Sequence, residues 1–161
     1  MERVSSYKYL GTFFDENLKF DVNTADIVKR GQQRIHLLRK LNSFSVSPAI
    51  LCRFYQSFIE SLLCFSFICW FPNLTLRDKN SLHNIIKTCS KITGVKLRDL
   101  ANFCDQQTLR KAEVILSSPG HVLASEFSLL PSGRRYVSPA CRTNRFLKSF
   151  IPSAIRLLNS L

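Results

Sequence analysis

From Pro48 to Phe71 the chain runs for 24 residues with only two charges, Arg53 and Glu60. A segment this apolar must be covered on most sides by protein or by lipid, which limits the fold more than any other stretch does. Ser47-Pro48 opens it as a cap residue followed by proline at the first helical position, and Pro72-Asn73 ends it. As a helix it would be roughly 36 Å long, enough to cross a bilayer. However, Glu60 falls at its centre and Arg53 two turns earlier, each costing about 2.5–3.5 kcal/mol in mid-bilayer. The uncharged part, Ser61 to Phe71, reaches only about 16 Å, half a hydrocarbon core. The expectation is a central helix buried by its neighbours, with no membrane partner.

Those neighbours can be read on either side. Residues 6–20 read as a hairpin, with Tyr7, Tyr9, Phe13 and Phe14 flanking Gly11, a turn signal at Asp15-Glu16-Asn17, and Leu18-Lys19-Phe20 returning. A helix is expected from Asn23-Thr24, either residue serving as N-cap, with Asp26 in its first turn. Ile27, Gly31, Ile35, Leu38 and Leu41 recur at spacings of four and three and give it one buried face. Beyond the apolar segment, Thr75 with Asp78 resembles a capping box, and Leu82, Ile85, Ile86, Cys89 and Ile92 form an apolar face ending at Gly94. Asp105 is placed to cap a shorter helix through Leu109, Ala112 and Leu116, stopping near Ser118-Pro119-Gly120. Past Gly120 the periodicity weakens until Ile151-Pro152-Ser153 to Asn159. The expected class is mainly α, in three parts: a hairpin over 1–22, a helical bundle over 23–95 and a small basic region over 96–161.

Lysine and arginine outnumber aspartate and glutamate 23 to 11, a formal charge of +12, so an anionic partner is favoured. With 45% hydrophobic residues the chain is too apolar for a disordered basic tail. Lys29, Arg30, Arg34, Arg39, Lys40 and Arg53 lie between Ile27 and Ile59 without one acid. On the first long helix Lys29, Gln33, His36 and Lys40 line up opposite the apolar face. On the later one Lys79, His83, Lys87 and Lys91 recur every four residues. In the tail no acid follows Glu126, while Arg134, Arg135, Arg142, Arg145 and Lys148 interleave with Tyr136, Phe146 and Phe150. Cations with ring faces can hold phosphates and stack on unpaired bases. A charged helix face is most often merely solvated. Three acid-poor faces together favour nucleic acid as partner, its sugar-phosphate backbone held in a groove if the two stripes lie side by side.

Little else carries chemistry. The six cysteines form no C-x-x-C pair, and Met1-Glu2-Arg3-Val4-Ser5-Ser6 offers no apolar leader, so a reduced intracellular setting, nuclear or cytoplasmic, is expected rather than secretion. Cys89, Cys104, His121 and Cys141 lack the short ligand pairs of a structural zinc site. No Cys–His signature marks a nucleophile, and Leu10-Gly11 is not followed by a phosphate loop. No metal, cofactor or small-molecule substrate is expected.

Two strings carry a resemblance. Leu129-Leu130-Pro131-Ser132-Gly133-Arg134-Arg135-Tyr136, then Arg142-Thr143-Asn144-Arg145-Phe146, Ser149-Phe150 and Ala154-Ile155 to Asn159, is similar to the C-terminus of LINE-type (non-long-terminal-repeat) retrotransposon polyproteins. Tyr7-Lys8-Tyr9-Leu10-Gly11, Asp15 to Phe20, Lys29, Gln32-Gln33-Arg34 and Leu38 to Leu41 resemble the palm-to-thumb passage of the reverse transcriptases in those polyproteins. Phe54-Tyr55, Ile59-Glu60-Ser61, Trp70, Lys91 to Gly94 and Arg110-Lys111-Ala112 continue it in the family's order. The resemblance implies a thumb-like bundle that clamps a template–primer duplex, entered by a hairpin that helps position the primer strand. It does not bring polymerase activity, since the family holds two magnesium ions on paired palm aspartates and this chain has no Asp-Asp. The first forty residues also resemble the segment named after the N-terminus of the tRNA-modifying AlkB homologue. Its iron triad needs an H-x-D, and His36, His83 and His121 are followed by none. The chain is thus expected to hold nucleic acid without catalysis. The alternatives are a protein-interaction or self-association module, exposed where a palm would pack, or a remnant without a present role.

Overall fold

The computed structural model describes residues 4–118 and 120–161, so Pro119 in the expected helix stop and the first three residues lie outside the described residues. The chain forms two compact units, residues 4–70 with 74–99, and 71–73 with 100–161. As expected it is mainly helical, with one two-stranded antiparallel hairpin at the start.

In the first unit β1 (Ser6–Tyr9) pairs with β2 (Thr12–Asp15), Ser6 opposite Asp15 and Tyr9 opposite Thr12. The turn is therefore Leu10-Gly11, with φ of 45° and 87°, and not Asp15-Glu16-Asn17. Two positive-φ residues in a two-residue loop give the turn whose twist matches that of the strands. Asp15 instead ends β2. Its carboxylate accepts the backbone N–H of Asn17 at 3.0 Å, Lys19 at 3.1 Å and Phe20 at 2.8 Å. The stretch expected to return as a strand is thereby coiled into the entry of a helix, with Leu18 and Phe20 both in the left-handed region.

That helix, α1 (Asp21–Ser43), starts two residues before its expected caps. Asn23 and Thr24 are buried within its first turn, where Asn23 Oδ1 accepts the Phe13 N–H at 3.1 Å and the Thr24 hydroxyl donates to the Phe20 carbonyl at 2.9 Å. The polar pair joins hairpin to helix rather than capping it. Asp21 takes the first-turn acidic position, and Asp26 pairs with Arg30 at 2.7 Å.

The apolar segment does not form one helix. It is α2 (Pro48–Phe54), a π-helical stretch (Tyr55–Glu60), α3 (Ser61–Cys64) and α4 (Phe67–Trp70), followed by a 3-10 turn, Phe71–Asn73. Phe65 is extended and Ser66 has φ of 50°. The Trp70 indole, buried and in need of an acceptor, donates to the Phe65 carbonyl at 2.9 Å and satisfies the group freed by the break. The segment is long and apolar enough to cross a membrane by length and composition. Here Leu51, Tyr55, Ile59, Leu62, Leu63, Phe67 and Trp70 are buried, and α2, the π stretch and α3 pack on α1.

The tightest pairing is between α1 and α5 (Leu76–Thr93). The Thr75 side chain accepts the Asp78 N–H at 3.2 Å as the capping pattern predicts, and Gly94 closes α5 in the left-handed region. Gly31 lets the two helices approach, because a Cβ there would sit 2.8 Å from Ile85 Cδ1.

In the second unit α6 (Leu100–Leu116) begins well before Asp105, which lies inside it. Ala112 and Ile115 of α6 pack with Phe127 and with Ala154 and Ile155 of α8 (Phe150–Leu158) as a small core. Between them lie a 3-10 turn, Ala124–Glu126, and the four-residue α7 (Asn144–Leu147).

The close approach yields a test by double-mutant cycle in urea. Ile85→Val alone should destabilise by about 0.5–1.5 kcal/mol, the ordinary cost of one buried methyl. In a Gly31→Ala background the same change should cost nothing, because it removes the methyl that alanine meets. The alanine should then add about 1 kcal/mol of helix propensity. Additive effects would mean the helices do not meet there.

Candidate nucleic-acid interface

Lys29, Gln33, His36 and Lys40 are all exposed on α1, as their spacing predicts. At 100° per residue they lie roughly 140–200° around the helix from Gly31, the point of contact with α5. On α5, Lys79, His83, Lys87 and Lys91 lie roughly 120–240° around from Ile85. His83, Lys87 and Lys91 are exposed and Lys79 is half-buried. The two stripes therefore face away from the α1–α5 contact on opposite sides and do not share a groove. The reason is steric: Gly31 and Ile85 draw the apolar faces together, so faces opposite them must diverge. Arg30, expected among the nucleic-acid-binding bases of this acid-free stretch, is half-buried and paired with Asp26.

The cleft beside the α1–α5 contact is lined by residues the stripes left out. It is about 470 Å³, and Gln32, Arg39, Ser81, Asn84 and Thr88 supply its polar side chains. Gln32 and Arg39 are seven apart on α1, a spacing of two turns that would have found them had the apolar face been drawn narrower. Arg30 and Arg34 border a second cavity, of about 280 Å³, beneath the Leu10–Gly11 turn. Arg34 also donates to the Phe58 carbonyl.

In the second unit the basic tail string is mostly architecture. Leu130 to Gly133 form a turn closed by the Gly133 N–H on the Leu130 carbonyl at 2.8 Å, with proline in its second place and Gly133 at φ of 69°. The Leu130 N–H reaches the Arg135 carbonyl at 2.7 Å, and Leu129 bridges Tyr136 antiparallel. Asn159 clasps the strand end from both sides, accepting the Tyr136 N–H at 2.8 Å and donating to its carbonyl at 3.0 Å. Tyr136 meets Phe127 edge-on. Thr143 caps α7 by accepting the Phe146 N–H. What this scaffold holds outward is charge: Arg134, Arg135, Arg142, Arg145 and Lys148 are all exposed.

Among the described residues no three His, Cys, Asp or Glu side chains gather. The His121 imidazole accepts the Leu123 N–H through Nδ1, and the Cys141 thiol donates to the Pro139 carbonyl. Burial pushes the thiol of Cys89 up to about 12, and burial with Glu60 beside it does the same to Cys64.

Two measurements follow. At pH 8 Cys64 and Cys89 should resist alkylation in the folded chain, since thiolate is the attacking form. Both pKa values lie above the unfolded value of about 8.5, so the stability they carry is intact below that pH and lost as pH rises toward 12. Thermal melts should fall across that window, and Cys89→Val should lessen the fall. In the second unit, Asn159→Ala should destabilise by about 1 kcal/mol and speed hydrogen exchange at Tyr136, because a part-buried backbone N–H and carbonyl lose their partners.

Residues 20–61 match the family described as alkylated DNA repair protein alkB homolog 8, N-terminal. The match covers α1, the connection after it, α2 and the π-helical stretch to Ser61, and leaves out the hairpin and everything beyond. No curated protein and no solved structure matches the chain.

Proposed function

We propose that the chain is a reverse-transcriptase fragment of LINE-type retrotransposon origin that holds RNA or an RNA–DNA duplex by its backbone without catalysing a reaction. The observation that carries this is the outward face of α1, where Lys29, Gln33, His36 and Lys40 are exposed in a stretch that has no acid from Ile27 to Ile59. A surface of lysines without carboxylates attracts phosphate, and among the described residues no ion pair engages Lys29 or Lys40. The exposed bases of the tail add a second basic surface, with arginines whose flat guanidiniums can also stack on bases. The colinear order of motifs from Tyr7 to Asn159 supports the origin, and the absence of Asp-Asp supports a non-catalytic role for these residues. The match over residues 20–61 is compatible with a retrotransposon-derived segment, and no H-x-D stands ready to hold iron.

A second role, in protein association, is favoured by one feature. All four residues of β1 are exposed, and Tyr7, Tyr9 and Leu10 are each more than half exposed, leaving an edge strand with apolar side chains outward.

Because the stripes diverge, they can be tested apart. Anisotropy titrations of an RNA–DNA duplex should give a log affinity that falls linearly with log salt. Lys29→Ala with Lys40→Ala should lower that slope by roughly two, uniformly across sequences. Lys87→Ala with Lys91→Ala reports the α5 face in the same way. Lysine in place of Arg134, Arg135, Arg142 and Arg145 should keep the slope and weaken single strands only. If both lysine pairs bind and respond to salt as the parent does, the helical faces are merely solvated. Concentration-dependent dimerisation lost on Tyr7→Lys would favour the second role.

A further inference from the structure

α1 and the helical run after it pack as an antiparallel pair, joined by residues 44–47 and pinned where Arg34 donates to the Phe58 carbonyl. From Arg34 toward that connection, Leu37, Leu41 and Phe44 come on one side of α1 at helical spacings of three and four. Ile50, Phe54 and Phe58 recur every four residues on α2 and the π-helical stretch. Leu37, Ile50 and Phe58 are each just over half exposed, and Phe44 is 68% exposed. Leu41 and Phe54 are half-buried. The same helices bury Leu38, Leu51, Tyr55 and Ile59, so the core closes without the exposed four. What remains is an apolar seam along the outside of the pair, about 15 Å long at 1.5 Å per residue.

Charge frames this seam. Lys40 lies roughly 40–60° around α1 from Phe44 and Leu37, and Arg53 roughly 60° around α2 from Ile50. Both are exposed, and among the described residues no ion pair engages either. No acid occurs between Ile27 and Ile59. An apolar strip of this length between cations fits a helix with acids flanking its apolar face. A second copy of the chain would set Lys40 and Arg53 against the same charges. Unpaired bases would find little to stack on. Phe54 and Phe58 already stack on each other, ring centroids 4.8 Å apart at 20°, and Leu37, Leu41 and Ile50 have no ring.

We propose that the seam docks an acidic amphipathic helix of another protein, about three turns long. Its apolar anchors seat among Leu37, Phe44, Ile50 and Phe58, and its carboxylates pair with Lys40 and Arg53. This surface is separate from the β1 edge and stands whether or not the chain holds nucleic acid.

The test titrates the whole chain into a labelled helical peptide whose leucines and phenylalanine recur at spacings of three and four. Its flanks carry glutamate, glutamine or lysine. The glutamate peptide should bind below about 100 μM, with glutamine about tenfold weaker and lysine unbound. Leu37→Gln with Phe44→Gln, both exposed positions, should weaken the glutamate peptide by about tenfold or more and leave duplex affinity unchanged. Lys40→Glu with Arg53→Glu should turn the preference to the lysine peptide. No binding of the glutamate peptide up to about 1 mM, equal affinity for the three flanks, or parent-like peptide affinity in the Leu37 and Phe44 variant would overturn the proposal. So would a variant that instead loses single-stranded RNA or anionic vesicles, or that turns a dimeric parent into a monomer. Those results would give the seam to bases, to lipid or to a second copy.

Discussion

The first unit depends on how closely α1 and α5 approach at Gly31 and Ile85. With no side chain at Gly31, the apolar stripes of both helices meet over their length, and the broken apolar segment can pack on α1 beside them. The same contact decides where charge can go. Every lysine in phase with the outward faces is pushed away from the helix pair, so the basic surface of this unit is spread over two sides. A binding groove would have required the stripes to sit nearer the contact, where Gln32, Arg39, Asn84 and Thr88 are found instead.

Single polar side chains make the joints between elements. Asp15 gathers three backbone N–H groups where β2 gives way to α1. Burial acts to raise its pKa, but the N–H donors of Lys19, Phe20 and Asn17 outweigh that and hold the carboxyl below the usual range. Asn23 and Asn159 do comparable work in the two units, each reaching a backbone amide far away in sequence. Short polar side chains suit this because they mimic the backbone's own hydrogen bonding.

Periodicity made the helical faces legible. Ile27, Gly31, Ile35 and Leu38 are buried as their spacing predicts, and so are Leu82, Ile85, Ile86 and Cys89. Thr75 and Gly94 bound α5 as read from local chemistry. The misreadings share one cause, a local signal overridden by a distant partner. Asn23 and Thr24 are good caps in isolation, but the hairpin claims Asn23. Asp15 looks like a turn residue and is one, but for the exit of β2 rather than the middle of the hairpin. The break at Phe65–Ser66 rests on an indole that needs an acceptor, and composition gives no sign of that. Of the interface, exposure was legible and direction was not, because the divergence of the stripes follows from which apolar faces meet.

Leu10, Leu18, Phe20, Ser45 and Ser66 all adopt positive φ without being glycine, and every one lies between helices or strands rather than inside them. Each such residue stores about 1–3 kcal/mol of backbone strain. Phe20 is buried in the core, but Leu10, Leu18, Ser45 and Ser66 are exposed, so most of this reserve lies apart from the packing faces. Asparagine or glycine could enter those four positions with little loss of core packing. A lineage free to drift would find its stabilising changes there first, and so could tolerate damage in the core without altering its exposed helical faces.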